Sequence, residues 1–239
     1  MRELIAASPE ALFATLMATE PARPFVTFYD EGSGERAELS VRSLANWVAK
    51  THFLLSDELA LGVGDAAYVD LPADWITVPV LLGCWSAGLE VLTSPEAAAV
   101  AFAPAPVEGV ADAYAIAPGV LTRSFGAEPP PDGMADYVAA VRPQPDAWAS
   151  VQQPAAAADP ALDGMARSDL VAKAQTRAGE LGLEPAARIV TTREWRGADD
   201  WVDTLLAPLA VGGSLVLVRG ATPEVLARRA DQERAVPVE

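Results

Sequence analysis

The run from Leu61 to Leu92, L-G-V-G-D-A-A-Y-V-D-L-P-A-D-W-I-T-V-P-V-L-L-G-C-W-S-A-G-L-E-V-L, constrains the fold more than any other part of the chain. Gly62 to Asp65 reads as a turn, Ala66 to Leu71 as a short strand and Trp75 to Ala87 as an apolar helix. Gly88 stops that helix, and Glu90 to Leu92 reads as a second strand. Strands joined through a helix run parallel, because the crossover returns the chain to the end of the sheet it left.

The same alternation extends along the sequence. Ser8-Pro9-Glu10 starts a helix, with proline in its first turn and apolar Leu12, Phe13, Leu16 and Met17 behind it. Phe25 to Tyr29 and Arg36 to Leu39 read as strands around the loop E-G-S-G-E, and Ser40 caps a helix carrying Leu44, Trp47, Val48, Thr51 and Leu55 at helical spacing. Short strands are expected at Val100 to Phe102 and Tyr114 to Ile116, and a helix at Met134 to Val141 after Pro129-Pro130-Pro131. Later come a helix from about Ser168 to Leu181, a strand Arg188 to Val190, a helix Ala198 to Leu206, a strand Ser214 to Val218 and a helix capped at Thr222. The stretch Gln152 to Asp163, Q-Q-P-A-A-A-A-D-P-A-L-D, reads as an exposed loop. The expected fold is a layered α/β/α sandwich with a mostly parallel sheet, residues 1–239 forming a single domain.

Composition narrows the function. Hydrophobic residues make up 51% of the 239 positions, enough for a sizeable core. The formal charge of −16 argues against nucleic acid and anionic lipid, which need clustered Lys and Arg. Glu3 and Glu10 interrupt the N-terminus, which does not read as a signal peptide, and no long uncharged apolar run suggests a membrane span. Cys84 is the only cysteine and reads as core packing, so the cytoplasm is the expected compartment.

Catalytic motifs are few. Gly62-Val63-Gly64 precedes its strand, whereas a dinucleotide fingerprint follows one, and no phosphate-loop motif is present. His52, the only histidine, reads as a surface or half-buried helix residue, and it leaves no alternative histidine for a nucleophile triad. Asp199, Asp200 and Asp203 could form a carboxylate site, yet they also complement a helix N-terminus. No metal site and no cofactor is expected. Trp195 stands between a strand and a helix, where α/β folds place ligand-contacting loops. Thr192 and Trp195 are therefore the candidate ligand-binding residues, with Trp195 expected at the surface.

The order of these pieces resembles acyl-CoA synthetases and other adenylate-forming enzymes. The resemblance rests on Glu38 to Lys50, Leu61 to Leu92, and the run from Leu181 through Thr192 to Val218. It covers most of the chain and implies the fold of that family's N-terminal subdomain. Family members hold ATP phosphates with a Ser-, Thr- and Gly-rich loop ending in Pro-Lys-Gly. The corresponding interval here, Ser150 to Asp169, contains no Thr, no Lys and a single glycine, Gly164. The family's adenine-side motif, ribose-binding Asp and catalytic Lys would fall beyond Glu239. The resemblance thus implies the fold without its chemistry, and no family catalytic residue maps onto this sequence. Three functions follow: a non-catalytic binding or regulatory protein, a divergent ligase or nucleotide binder completed by a partner chain, or a scaffold that oligomerises through a sheet edge.

Overall fold

The computed structural model describes residues 7–119 and 123–239. The reading of the extreme N-terminus falls partly on residues 1–6, outside that range. The helices are α1 (Pro9–Thr19), α2 (Val41–Phe53), α3 (Thr77–Ser86), α4 (Tyr137–Val141), α5 (Arg167–Glu180), α6 (Ala198–Trp201), α7 (Ala207–Ala210) and α8 (Pro223–Glu233). The strands are β1 (Pro24–Asp30), β2 (Glu35–Ser40), β3 (Ala66–Val69), β4 (Glu90–Leu92), β5 (Val100–Phe102), β6 (Asp112–Ala115), β7 (Ala135–Asp136), β8 (Pro160–Leu162), β9 (Met165–Ala166), β10 (Arg188–Thr191), β11 (Ser214–Arg219) and β12 (Val236–Pro237).

The strands divide between two sheets, ordered β12-β10-β11-β1-β2 and β7-β6-β5-β3-β4-β8-β9. Pairing is parallel except at β1–β2 and β8–β9. The chain builds β1 and β2, leaves through α2 for the second sheet, and returns at β10. The expected parallel crossover is present: β3 pairs with β4 in register Ala67–Val91, with α3 between them.

Every residue of α3 is buried. An all-round apolar helix must be covered on all sides. Here α1 and α2 pack on α3. The α2–α3 contact is close enough to require glycine at position 83, since a Cβ there would lie 2.5 Å from both Cβ and Cγ2 of Thr51. Thr51 Oγ1 in turn lies 2.6 Å from the Tyr137 hydroxyl, tying α2 to α4. One apolar cluster runs from Phe13 to Val238 through both sheets.

Local signals explain most boundaries. Ser8, Ser40 and Thr222 cap α1, α2 and α8 by accepting backbone N–H groups. The helix expected from Met134 starts later, because Ala135–Asp136 pairs with β6 and Asp136 becomes the cap. The helix expected at Ala198 to Leu206 widens into a π turn at Val202–Leu206 before α7. The loop expected at 152–163 ends sooner, at Asp159. Ala161 and Leu162 are buried in β8, and the Trp85 indole donates to the Ala161 carbonyl at 2.9 Å. Among the described residues no helix is long and apolar enough to cross a membrane.

Candidate functional site

The carboxyl ends of β3, β5, β6, β10 and β11 meet around a cleft between the two sheets, the position where open α/β folds bind ligands. Two adjoining cavities form it, of about 400 and about 480 Å3. They share Leu71, Pro72, Pro104 and Arg219. The larger is apolar, walled by Ala103, Ala115, Ile116 and Phe125. The smaller is lined by the segment Thr191 to Arg196 that leaves β10.

Both sequence candidates line this smaller cavity. Thr192 is exposed, and its hydroxyl has no partner among the described residues. Trp195 differs from expectation. It is 5% exposed, and its indole donates to Thr204 Oγ1 at 2.7 Å, with Thr204 donating onward to the Asp200 carbonyl. The reason is that the segment folds back onto the π turn, where an indole N–H finds a hydroxyl. Trp195 therefore anchors the wall of the cleft and is not a surface contact.

The charged groups of the cleft come from distant parts of the chain. Asp74, buried in the loop before α3, accepts from Arg123 and, at 2.9 Å, from Arg219. Arg219 also approaches Asp30 at 3.5 Å and lies 4.9 Å from the Phe28 ring centre. Burial pushes the Asp74 carboxyl above its usual range despite these guanidinium groups. On the other wall Arg193 donates to Asp203 at 2.8 Å, and Arg177 binds the same carboxylate at 2.7 and 3.0 Å. Burial acts to raise the Asp203 pKa, but these hydrogen bonds outweigh it and hold the group below its ordinary value.

The three helix-start aspartates are thus separated in role. Asp203 faces arginines, Asp199 pairs with Lys173 at 2.7 Å, and Asp200 accepts the Arg196 backbone N–H at 2.9 Å. Among the described residues no group of three or more His, Cys, Asp or Glu side chains is placed to hold a metal ion. His52 corrects another expectation: it is 4% exposed, lies against Phe53, and its Nδ1 has no hydrogen-bond partner. Burial lowers its pKa. Cys84 is fully buried and its thiol is pushed far up by desolvation, as fits a packing residue.

Several polar groups of the interval Ser150 to Asp169 are engaged within it or by neighbouring residues. Asp159 accepts the Ala156 N–H at 2.6 Å, Asp163 accepts both the backbone N–H and the hydroxyl of Thr93, and Gly164 N–H donates to Glu90. Its one cation, Arg167, is fully buried. Arg167 donates to Glu10 at 2.8 Å and to the carbonyls of Trp85 and Leu89 at 3.1 and 3.0 Å. Nothing in the sequence around Arg167 identifies Glu10, 157 residues away, as its partner.

No family model matches the chain. Solved structures share its fold. Brucella canis acyl-CoA synthetase superposes with a TM-score of 0.74 at 18% identity, covering 95% of this chain and 46% of that one. Mycobacterium smegmatis MbtA gives 0.71 at 15% identity over 95% of this chain and 47% of that one. The fatty acyl-adenylate ligase from L. pneumophila gives 0.70 at 14%, over 98% and 44%. The chain spans about half the length of these structures, and its fold is that of the N-terminal part of acyl-CoA synthetases. A TIGR03089 family protein from Mycobacterium tuberculosis (strain ATCC 25618 / H37Rv) is 37% identical over 237 residues. That alignment covers 95% of this chain and 96% of the relative, and the protein accordingly belongs to the TIGR03089 family.

Proposed function

We propose that the protein is a non-catalytic relative of the adenylate-forming enzymes that binds a small molecule in the cleft between its sheets. The observation that carries this reading is the fate of the interval Ser150 to Asp169. Phosphate binding needs free backbone N–H groups, hydroxyls and a cation that can reach the ligand. Here the cation is spent on a core ion pair, the backbone N–H groups of Ala156 and Gly164 are held by the carboxylates of Asp159 and Glu90, and Asp163 is turned to Thr93. Carboxylates next to a triphosphate repel it, so the arrangement opposes ATP rather than merely failing to grip it. The cleft keeps the shape of a ligand site, with one apolar and one polar compartment.

On this reading residues 1–239 act as one folded unit, which the continuous apolar cluster supports. The protein works in the cytoplasm, away from nucleic acid and membrane, as its charge of −16 favours. The test is ATP–pyrophosphate exchange with a panel of straight-chain and aromatic carboxylic acids, alongside calorimetry with Mg-ATP. No exchange and no heat at millimolar nucleotide are expected. Exchange above background with any acid would overturn the proposal.

A further inference from the structure

A separate cavity of about 340 Å3 lies between α2, the loop before α3, and α4. Its volume falls in the range of about 300–1,000 Å3 common to small-molecule sites. Two indoles form one side: Trp47 and Trp75 pack edge to face with ring centres 5.5 Å apart. Trp47 is half-buried and offers part of its ring to the cavity, while Trp75 is buried behind it.

Cations form the other side. Lys50 donates Nζ to the carbonyls of Arg142 and Gln144 at 3.0 and 2.5 Å, which fixes the ammonium at the rim without neutralising it. The Arg142 guanidinium and the Asn46 carboxamide have no hydrogen-bond or ion-pair partner among the described residues. Arg123 closes the back. It is 5% exposed, spends one amino group on Asp74, and keeps a buried Nε with no partner. The lining carries Lys50, Arg123 and Arg142 against Asp146. With Asp74 behind Arg123, one positive charge remains in surplus on a chain whose net charge is −16.

We propose that this cavity binds a small aromatic anion, its ring against the Trp47 indole and its charged group toward Lys50 and Arg142. Indole faces stack planar rings, and a guanidinium fork matches the oxygens of a sulfonate, phosphate or carboxylate. A neutral aromatic would leave the cations unanswered, and an aliphatic anion would leave the ring unused. The site meets the larger cavity of the cleft only at Arg123 and shares no residue with the Thr191 to Arg196 wall.

The test follows the six indole 1H–15N resonances of the protein, with Trp47 and Trp75 assigned through their Phe variants. The probes are 2-naphthalenesulfonate and 2-naphthyl phosphate, compared with neutral 2-naphthalenesulfonamide and ring-saturated cyclohexanesulfonate. Trp47 and Trp75 should move and Trp195 should not, with dissociation constants on the order of 0.1–1 mM. The sulfonamide and cyclohexanesulfonate should each bind about fivefold more weakly or worse, and Arg142→Gln should weaken the sulfonate by about the same factor. If the sulfonate outperforms the phosphate or the reverse, the head group is identified and the proposal stands. Equal binding of the sulfonamide, unchanged affinity in the Arg142→Gln protein, movement of Trp195 alone, or no movement at about 10 mM probe would overturn it. Arg142 is exposed, so its substitution leaves the fold intact.

Discussion

Replacing Arg167 by Met removes the one cation of the Ser150 to Asp169 interval and separates a structural role from a phosphate-binding one. The wild-type guanidinium is fully buried and makes three hydrogen bonds, to Glu10, the Trp85 carbonyl and the Leu89 carbonyl. Breaking a buried pair by deleting one partner costs about 3–5 kcal/mol, because the other charge is left without compensation. Arg167 Nε already lacks a partner, so its removal also relieves one orphaned donor, worth about 1 kcal/mol. The expected loss is therefore near the lower end, about 3 kcal/mol, or a fall in Tm of about 6–12 °C for a chain of this size. The loss should grow with pH. Burial already raises the Glu10 pKa above its ordinary value, and without the arginine it rises further. A raised carboxyl pKa favours folding below the unfolded value and loses that favour as pH climbs through the folded value. Urea unfolding of both proteins between pH 5 and 8 reads this directly, and Glu10→Leu combined with Arg167→Met should recover most of the loss. A loss below about 1 kcal/mol would refute the structural assignment. So would an Arg167→Met protein of undiminished stability whose response to nucleotide had changed.

Three further outcomes follow from the packing. His52 has a lowered pKa, so its neutral form supports the fold above the unfolded value near 6.5 and that support disappears as pH falls through the folded value. Urea midpoints should accordingly drop between about pH 6.5 and 5, and His52→Gln should flatten that slope; an unchanged slope counts against the buried neutral imidazole. Gly83→Ala should destabilise by about 1–3 kcal/mol in chemical denaturation, since the added methyl meets Thr51. Intrinsic helix propensity alone would make the alanine protein more stable, and that result would contradict the close α2–α3 approach. Trp195→Phe should cost about 1 kcal/mol by removing the bond to Thr204, and in a Thr204→Val background the same substitution should cost measurably less.

The elements that announced themselves in the sequence were those governed by local chemistry. Ser8, Ser40 and Thr222 are caps whose side chains reach N–H groups three residues on, and the parallel pair around α3 follows from the length of its crossover. The division into two sheets was not legible, because β1 finds β11 across nearly the whole chain and no local pattern encodes that pairing. Short strands such as β9 and β12 carry two residues each, too few for a period to show. The same distinction holds at the cleft. Thr192 and Trp195 follow from their place after a strand, whereas Asp74, Arg123 and Arg219 converge from separations of 49 and 145 residues.

That convergence also explains why the burial of Trp195 matters more than its exposure would have. A surface tryptophan could contact a ligand without shaping anything. A buried one, held by Thr204 and through it by the π turn, fixes the course of Thr191 to Arg196 along one wall of the cleft. The opposite wall is fixed by Asp74, which holds Arg219 from the end of β11 and Arg123 from the loop between β6 and β7 at one carboxylate. The cleft is therefore braced from both sides, so on the proposed reading ordering it adds little to the cost of binding a ligand. On the proposed reading a ligand meets this braced cleft, while the Ala156 and Gly164 N–H groups stay engaged by the Asp159 and Glu90 carboxylates.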